Sequence, residues 1–442
     1  MTYSAQSAAG RIDDGPMNGW QWVAVLMTAG LNALDGIDVL SISYAAPGIG
    51  AHWGVAPGAL GWILAMELLG MAAGSLLLGG VADRIGRRHT ILGCLVAMAT
   101  GMLLAGQATG PLPLLGARLL TGLGIGGMLP AINAAAAELS NRRRRSLAMA
   151  LMVIGYPIGG ILGGLAARAI FDHGGGWQDL FHLGGTVTLA FIPLVWLLLP
   201  ETPAHLESRG ARGDLARLNR TLARFGHASV RAIDGTPRAI PHGSLAALFG
   251  PGFVVTTLCV TVAYFAHIMS FYFIIKWVPK MVVDLGADPA TAASLLAWAN
   301  VGGACGGALF GLLAARTGLK RLTLTALLGS AIFVALFGLT RGTPDILWAK
   351  LLLTGLFANG AIAGLYLTIA AVFPPELRAA GTGFAIGVGR GAAALAPVAA
   401  GYMFQAGMGI GSVAVAMGCG SVIAAAALSR VVVPADRVRR TG

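Results

Sequence analysis

The chain has 442 residues, 56% of them hydrophobic and 11% charged, with a mean hydropathy of +0.76. Water-soluble domains carry about a quarter charged residues, so this composition excludes an ordinary soluble enzyme or binding module. A formal net charge of +12 would suit a nucleic-acid surface, but the basic residues are spread between apolar runs, and no nucleic acid is expected as a partner.

Residues 1–19 are polar and mixed and read as an N-terminal tail. Twelve apolar runs of roughly 20 residues follow, each long enough to cross a hydrocarbon core of about 30 Å. They centre roughly on residues 32, 69, 99, 124, 158 and 190, then on 263, 302, 330, 357, 390 and 419. The first run is too long for the core of a signal peptide, so no cleaved leader is expected. Runs one to six occupy 20–200, and a polar, arginine-rich interval fills 201–247. Runs seven to twelve occupy 248–430, and 431–442 is a C-terminal tail. Within the interval, LARLNRTLARFG places Leu215, Leu218, Leu222 and Phe225 on one face, which predicts an amphipathic helix.

If successive runs alternate in direction, most of the 30 Lys and Arg residues fall on one side. Arg84, Arg87, Arg88, Arg142 to Arg145, Arg316, Lys320, Arg321 and Arg378 are among them, while the opposite loop QATGPLP at 107–113 carries no charge. The positive-inside rule makes the arginine-rich side cytoplasmic, with both termini and the 201–247 interval on it. Sixty-six glycines suit helices that approach closely in lipid. The fold class read from this pattern is an all-α polytopic membrane protein with twelve transmembrane helices. Cys94, Cys259, Cys305 and Cys419 are far apart within apolar runs and read as packing residues, with neither disulfide nor metal spacing. A membrane enzyme is argued against by the lack of paired-histidine metal spacing, a GxSxG turn or a phosphate loop in the sequence.

The two halves resemble each other. GGVADRIGRRHTI after run two aligns with GLLAARTGLKRLTL after run eight, and AELSNR after run four aligns with PELRAA after run ten. Two repeated bundles with a site at their interface is the general design of secondary transporters.

Over nearly its whole length the sequence resembles the major facilitator superfamily. The signature between helices two and three is carried by Gly79, Asp83, Arg84, Gly86, Arg87 and Arg88, and Arg118-x-x-x-Gly122-x-Gly124-x-Gly126-Gly127 is similar to the helix-four signature. Four stretches resemble the aromatic acid:proton symporters within it: LDGIDVLSISYAAPGI, RRRRSLAMALMVIGYPIGG, LPETPAHLESRG and ELRAAGTGFAIGVGRGAAALAP. Ala315 departs from the pattern where the second loop copy could carry an acid, and Glu67 where a small residue is expected. The resemblance implies two pseudo-symmetric six-helix bundles and a monomer in the lipid of a bacterial inner membrane. It also implies uptake of a small aromatic acid of benzoate or hydroxybenzoate type with protons as the coupling ion and no cofactor. GYPIGGILGG partly resembles the helix-five motif of proton antiporters, so a proton-driven drug or metabolite exporter of the same superfamily is the alternative.

Few ionisable residues lie well inside the runs, and such residues by default mark a functional pathway. In run one, Asn32, Asp35, Asp38 and Ser41 recur every third residue as a slowly turning polar stripe. Like charges one turn apart disfavour joint ionisation, which suits a proton carrier; an Asp capping a helix broken at Gly36 is the bland alternative. Glu67 in run two shares a face with Gly70 and Gly74 and is expected to point inward, for proton coupling or for a structural hydrogen bond. Arg118 in run four lies at a depth comparable with Asp38, where pairing would lower the cost of both charges. Arg390 in run eleven has no acid within the second half's runs, and its planar fork suits a carboxylate; otherwise it would bond to carbonyls of a broken helix.

Run seven offers Tyr264, His267, Phe271, Tyr272 and Lys276, either as packing or as the wall of an aromatic-acid site. Lys276 and Trp277 near its outer end are explained by snorkelling and interface anchoring. Trp298, Asn300 and Tyr366, with Asn359, complete the substrate candidates. The loop at 79–91 reads as a cytoplasmic gate, with Asp83 near the start of a helix or pairing with a cytoplasmic arginine, such as one of Arg142 to Arg145.

Overall fold

The computed structural model describes residues 7–211, 213–233, 245–340 and 344–431; the C-terminal tail from 432 and residues 234–244 of the interval lie outside them. In chain order the helices are α1 (Ala8–Asp14), α2 (Gly19–Trp53), α3 (Pro57–Leu78), α4 (Val81–Ile85), α5 (Arg87–Gly106) and α6 (Pro111–Glu138). Next come α7 (Arg145–Asp172), α8 (Trp177–Leu198), α9 (Pro203–Arg209), α10 (Asp214–Arg224) and a 3-10 turn at Leu245–Phe249. The remainder are α11 (Val254–Asp284), α12 (Pro289–Thr317), α13 (Leu319–Leu339), α14 (Pro344–Val372), α15 (Pro375–Gln405) and α16 (Ile410–Ser429). No strand occurs among the described residues. Twelve helices are long and apolar enough to cross a membrane, namely α2, α3, α5 to α8 and α11 to α16. They are the twelve apolar runs.

Local chemistry sets where these helices begin. α6, α12 and α15 carry proline in their first turn, where a missing N–H leaves no bond unmade. Asp288 caps α12 by accepting the Thr291 N–H at 2.8 Å. Gly86 and Gly318 turn the chain before α5 and α13 at φ of +100° and +88°, a region glycine enters without a Cβ penalty. They occupy matching positions in the two aligned loop copies, so the sequence repeat is also a backbone repeat.

Two compact units emerge, and their boundary cuts through helices. The first holds Met1–Val39, Gly70–Gly159 and Phe181–Ile240. Its core includes Leu95 and Met98 of α5 and Ile125 and Met128 of α6, all buried. Gly70 and Gly74 of α3 lie on the backbone of Leu119 and Leu123 in α6, while Gly155 and Gly159 of α7 lie on Ala29 and Ala33 of α2. A side chain at any of the four would collide with a carbonyl oxygen, which is the close approach expected of them.

The polar N-terminal stretch is more than a plain tail. Ala8 and Ile12 of α1 are buried in one cluster with Leu206 of α9 and Leu218, Leu222 and Phe225 of α10, with Leu215 partly buried against it. The amphipathic helix predicted in the interval is therefore α10, and part of its apolar cover is α1. Asp13, 5% exposed, is bonded by Arg145 at the start of α7. At the head of α10, a hydrogen bond from the Arg209 guanidinium holds the Asp214 carboxyl below the usual carboxylate range.

The second unit holds Leu40–Leu69, Gly160–Leu180 and Pro241–Gly442. Within it α11 packs on α15 and α16, α12 on α14, and α13 on α14 and α16. Gly302, Gly306 and Gly355 bring α12 and α14 together so closely that a Cβ on any would strike a carbonyl of the other helix. The second unit also takes in the last part of α2, the first part of α3 and the last part of α7, which belong to the first sequence half. These parts lie at the ends of the spans opposite the termini and the interval, called distal ends below.

Candidate functional site

The helix α2 runs unbroken from Gly19 to Trp53 through Gly36 and Pro47, so Asp35 and Asp38 do not cap a broken helix. Asp35 is 2% exposed and Asp38 is fully buried. Asn32, on the same stripe, donates its amide to the Met152 carbonyl of α7 at 2.9 Å. Arg118 of α6 is fully buried and donates to the Asp38 backbone carbonyl at 2.8 Å and to the Met102 sulfur at 2.9 Å. Its guanidinium carbon stands 5.3 Å from the Phe181 ring centroid. Gly184 of α8 leaves the room that the Asp38 carboxyl occupies; a Cβ there would come within 3.3 Å of Oδ1. Burying a carboxylate is costly, and a guanidinium held on the same residue's backbone lowers that cost. Asp35, Asp38 and Arg118 are thus all buried, and Arg118 is tied to α2 at the Asp38 backbone.

A second group lies within the second unit. Tyr264 of α11 and Tyr366 of α14 share a hydroxyl–hydroxyl hydrogen bond of 3.0 Å, with ring centroids 5.6 Å apart. The Tyr264 ring lies over Gly389 of α15, where any side chain would overlap its Cδ1 and Cε1 edge. Arg390, the next residue, is half-buried and acts electrostatically on the Tyr264 hydroxyl. α15 is continuous from Pro375 to Gln405, so a broken helix does not account for Arg390. A half-buried arginine one residue from the glycine under the Tyr264 ring offers both charge and aromatic contact to an anion.

The remaining substrate candidates have partners of their own, and Tyr272, like Arg390, also acts electrostatically on Tyr264. His267 is fully buried with both ring nitrogens engaged, Nε2 to the Ala358 carbonyl at 3.0 Å and Nδ1 to the Ser421 hydroxyl at 2.9 Å. The carbonyl can only accept, so Nε2 carries the proton in its bond to Ala358. His267 ties α11 to α14 and α16 rather than facing an open wall. The Trp298 ring meets Trp348 at a tilt with centroids 5.6 Å apart, and Tyr272 meets Phe271 edge-on at 5.4 Å. Asn300 donates back to Leu296 of its own helix at 3.0 Å and lies against Gly160.

Glu67 and Lys276 are both fully buried, with Nζ and Oε2 3.5 Å apart. Glu67 points inward as expected, but Lys276 is no snorkelling residue. An acid in run two had a cation available in run seven, and mutual neutralisation at depth was the signal that could have found it.

The loop between α3 and α5 is organised by its own arginine. Arg87 pairs with Asp83 at 2.9 Å and with Glu138 at the end of α6 at 3.1 Å. Asp83 thus lies in the first turn of α4, as expected, and its arginine is Arg87 rather than one of the suggested Arg142 to Arg145, because the helix ends at Ile85 and the turn at Gly86 brings Arg87 back to it. Glu201 accepts the Arg87 N–H at 2.8 Å, filling the space that a side chain on Gly86 would need. Arg88 bonds the Trp196 carbonyl and lies 4.5 Å over its ring, Arg84 is exposed, and Gly79 sits against the Ser75 carbonyl. Sequence reading missed Glu138 and Glu201, since nothing in their spacing ties them to this loop.

The sequence profile of the Major Facilitator Superfamily matches residues 26–274 and 260–442. The chain belongs to the major facilitator superfamily. It is 30% identical to the 3-(3-hydroxy-phenyl)propionate transporter of Escherichia coli, over 91% of this chain and 93% of that one. It is 28% identical to a gallate transporter of Pseudomonas putida, over 90% and 89%. A 4-hydroxybenzoate transporter of Acinetobacter baylyi is 27% identical over 88% and 86%. Among solved structures, a D-xylose-proton symporter superposes with a TM-score of 0.73 at 17% identity, covering 93% of this chain and 98% of the other. That likeness concerns the fold alone. The protein is thus a multi-pass membrane transporter of the major facilitator fold, not an enzyme.

For this transporter the satisfied state of His267 carries a prediction. His267→Ala removes the hydrogen bonds to the Ala358 carbonyl and the Ser421 hydroxyl and opens a cavity between three helices. A loss of about 1–3 kcal/mol in stability is expected, with substrate KM unchanged. Melting in detergent alongside an uptake titration checks it, and an altered KM at normal stability would return His267 to the substrate wall.

Proposed function

We propose that this protein imports an aromatic carboxylate of benzoate or hydroxybenzoate type together with protons across the bacterial inner membrane. It works as a monomer, and the halves 20–200 and 248–430 alternate access to a central site. The observation that carries the reading is Arg390, next to the glycine on which the Tyr264 ring lies and acting electrostatically on the hydroxyl that bonds Tyr366. A guanidinium fork binds a carboxylate in two hydrogen bonds, and the tyrosines supply ring faces and hydroxyls for a phenolic substrate. The names of the relatives, which include gallate and 4-hydroxybenzoate transporters, support the same class. Asp35 and Asp38 take up the coupling proton, and Arg118 holds the emptied carboxylate. Glu67 joins the coupling set through Lys276. The loop from Gly79 to Arg88 serves as the cytoplasmic gate, its charges released when the halves move.

Uptake into proteoliposomes tests the reading directly. A panel of radiolabelled aromatic acids should accumulate only with an inward proton gradient, and gradient-independent uptake or no uptake of any member would sink it. Orientation has its own check. With both termini and the 201–247 linker cytoplasmic, single cysteines at the exposed positions Ser208 and Ser412 should label from opposite sides of the membrane. Labelling of both from outside intact cells would overturn that placement.

A further inference from the structure

The buried Glu67–Lys276 pair joins α3, from the first sequence half, to α11, from the second. Six residues from Glu67 toward the distal end, about 9 Å along the helix, Gly61 lies against α15. A Cβ on Gly61 would stand 2.6 Å from the Pro397 carbonyl, and one on Gly401 2.5 Å from the Pro57 carbonyl. Gly58 donates its N–H to Gln405 at 3.1 Å, and the Trp62 indole donates to the Tyr402 hydroxyl at 3.3 Å. Trp277, next to Lys276, donates its indole N–H to the same Pro397 carbonyl at 3.1 Å. Three helices therefore converge on Pro397, and the ion pair lies beneath that seam.

Glycine-on-carbonyl packing holds such a seam by shape, and it weakens gradually as helices separate. A buried ion pair behaves differently. Drawing the two charges apart while the surroundings stay dry is costly for each, but once water enters, both are solvated and the cost vanishes. A seam with such a pair at its base is either shut or open, with half-open states disfavoured.

We infer that Glu67 and Lys276 form a charge latch that keeps the distal seam of α3, α11 and α15 shut, and that Lys276 is a coupling residue of the transport cycle. This rests on the alternating-access reading but not on the identity of the substrate. The test measures how often the seam opens in full-length protein reconstituted in liposomes. Cys94, Cys259, Cys305 and Cys419 are replaced by serine, and Val398→Cys supplies the reporter, since its Cα lies against Gly61. A membrane-impermeant maleimide is added on the distal side, without substrate.

Glu67→Gln and Lys276→Met should each speed labelling about tenfold, equivalent to a shift of about 1.4 kcal/mol in the open–shut equilibrium. The charge swap Glu67→Lys with Lys276→Glu should restore slow labelling. Parent-like rates in the single variants, or a swap as fast as they are, would overturn the latch. If the single variants fail to fold, the double variant Glu67→Gln with Lys276→Met leaves no unpaired charge and decides the matter. Fast labelling there supports the latch, and parent-like labelling overturns it. Because no substrate is present, a failure of aromatic-acid uptake leaves this result standing, and the reverse also holds.

Discussion

Arg390→Ala is expected to abolish aromatic-acid transport and to weaken binding at least about 100-fold. That corresponds to the roughly 3 kcal/mol lost when the charged partner of a desolvated carboxylate is removed. Arg390 is half-buried beside Tyr264, whose ring is held over Gly389, so no other cation is placed to substitute from the same turn. Arg390→Lys should recover little, because a single ammonium lacks the bidentate fork and its flexible stem must be ordered. Binding followed calorimetrically in detergent, with counterflow in vesicles, separates lost affinity from lost movement. Melting measurements confirm that the variant is folded. Normal affinity in the alanine variant would remove Arg390 from the substrate site.

The second large effect belongs to α2. Asp35→Asn and Asp38→Asn keep the side-chain shape but remove the titratable proton, and each should prevent proton-driven accumulation. At least one should retain binding or exchange of the aromatic acid. A tenfold proton gradient contributes about 1.4 kcal/mol per proton moved, and that contribution vanishes with the carrier carboxyl even where the substrate pocket survives. Comparing gradient-driven uptake with counterflow in the same vesicles decides the matter. A double Asn variant that still concentrates substrate under a pH gradient alone would make both aspartates structural.

Much of the architecture was legible because the signals are strong and local. Twelve apolar runs matched twelve spanning helices since a chain in lipid must satisfy its backbone within each helix. The repeat seen at GGVADRIGRRHTI and GLLAARTGLKRLTL reappeared as positive φ at Gly86 and Gly318, because both copies need the same tight turn. Leu218, Leu222 and Phe225 were readable as a buried face from spacing alone. The stripe from Asn32 to Asp38 was readable for the same reason, since helical geometry puts every third residue on neighbouring faces.

Partners far apart in the chain were not legible. Lys276 looked like an interface anchor at the outer end of its span, yet it is fully buried on Glu67, more than 200 residues away in sequence. His267 looked like a ligand donor until Ala358 and Ser421 were found on its two nitrogens. Asp83 went to Arg87 instead of the arginines after α6, and Arg145 went to Asp13 in a stretch that read as a tail. The sequence by itself determined which residues are apolar, where helices start and stop, and which few charges lie at depth, because those follow from hydropathy, helical period and turn chemistry. Which buried charge meets which, and which polar side chains are already satisfied, was decided only by the packing of helices against one another. Those pairings depend on a helix's rotation and depth against its neighbours, and neither is encoded in the period of any single segment.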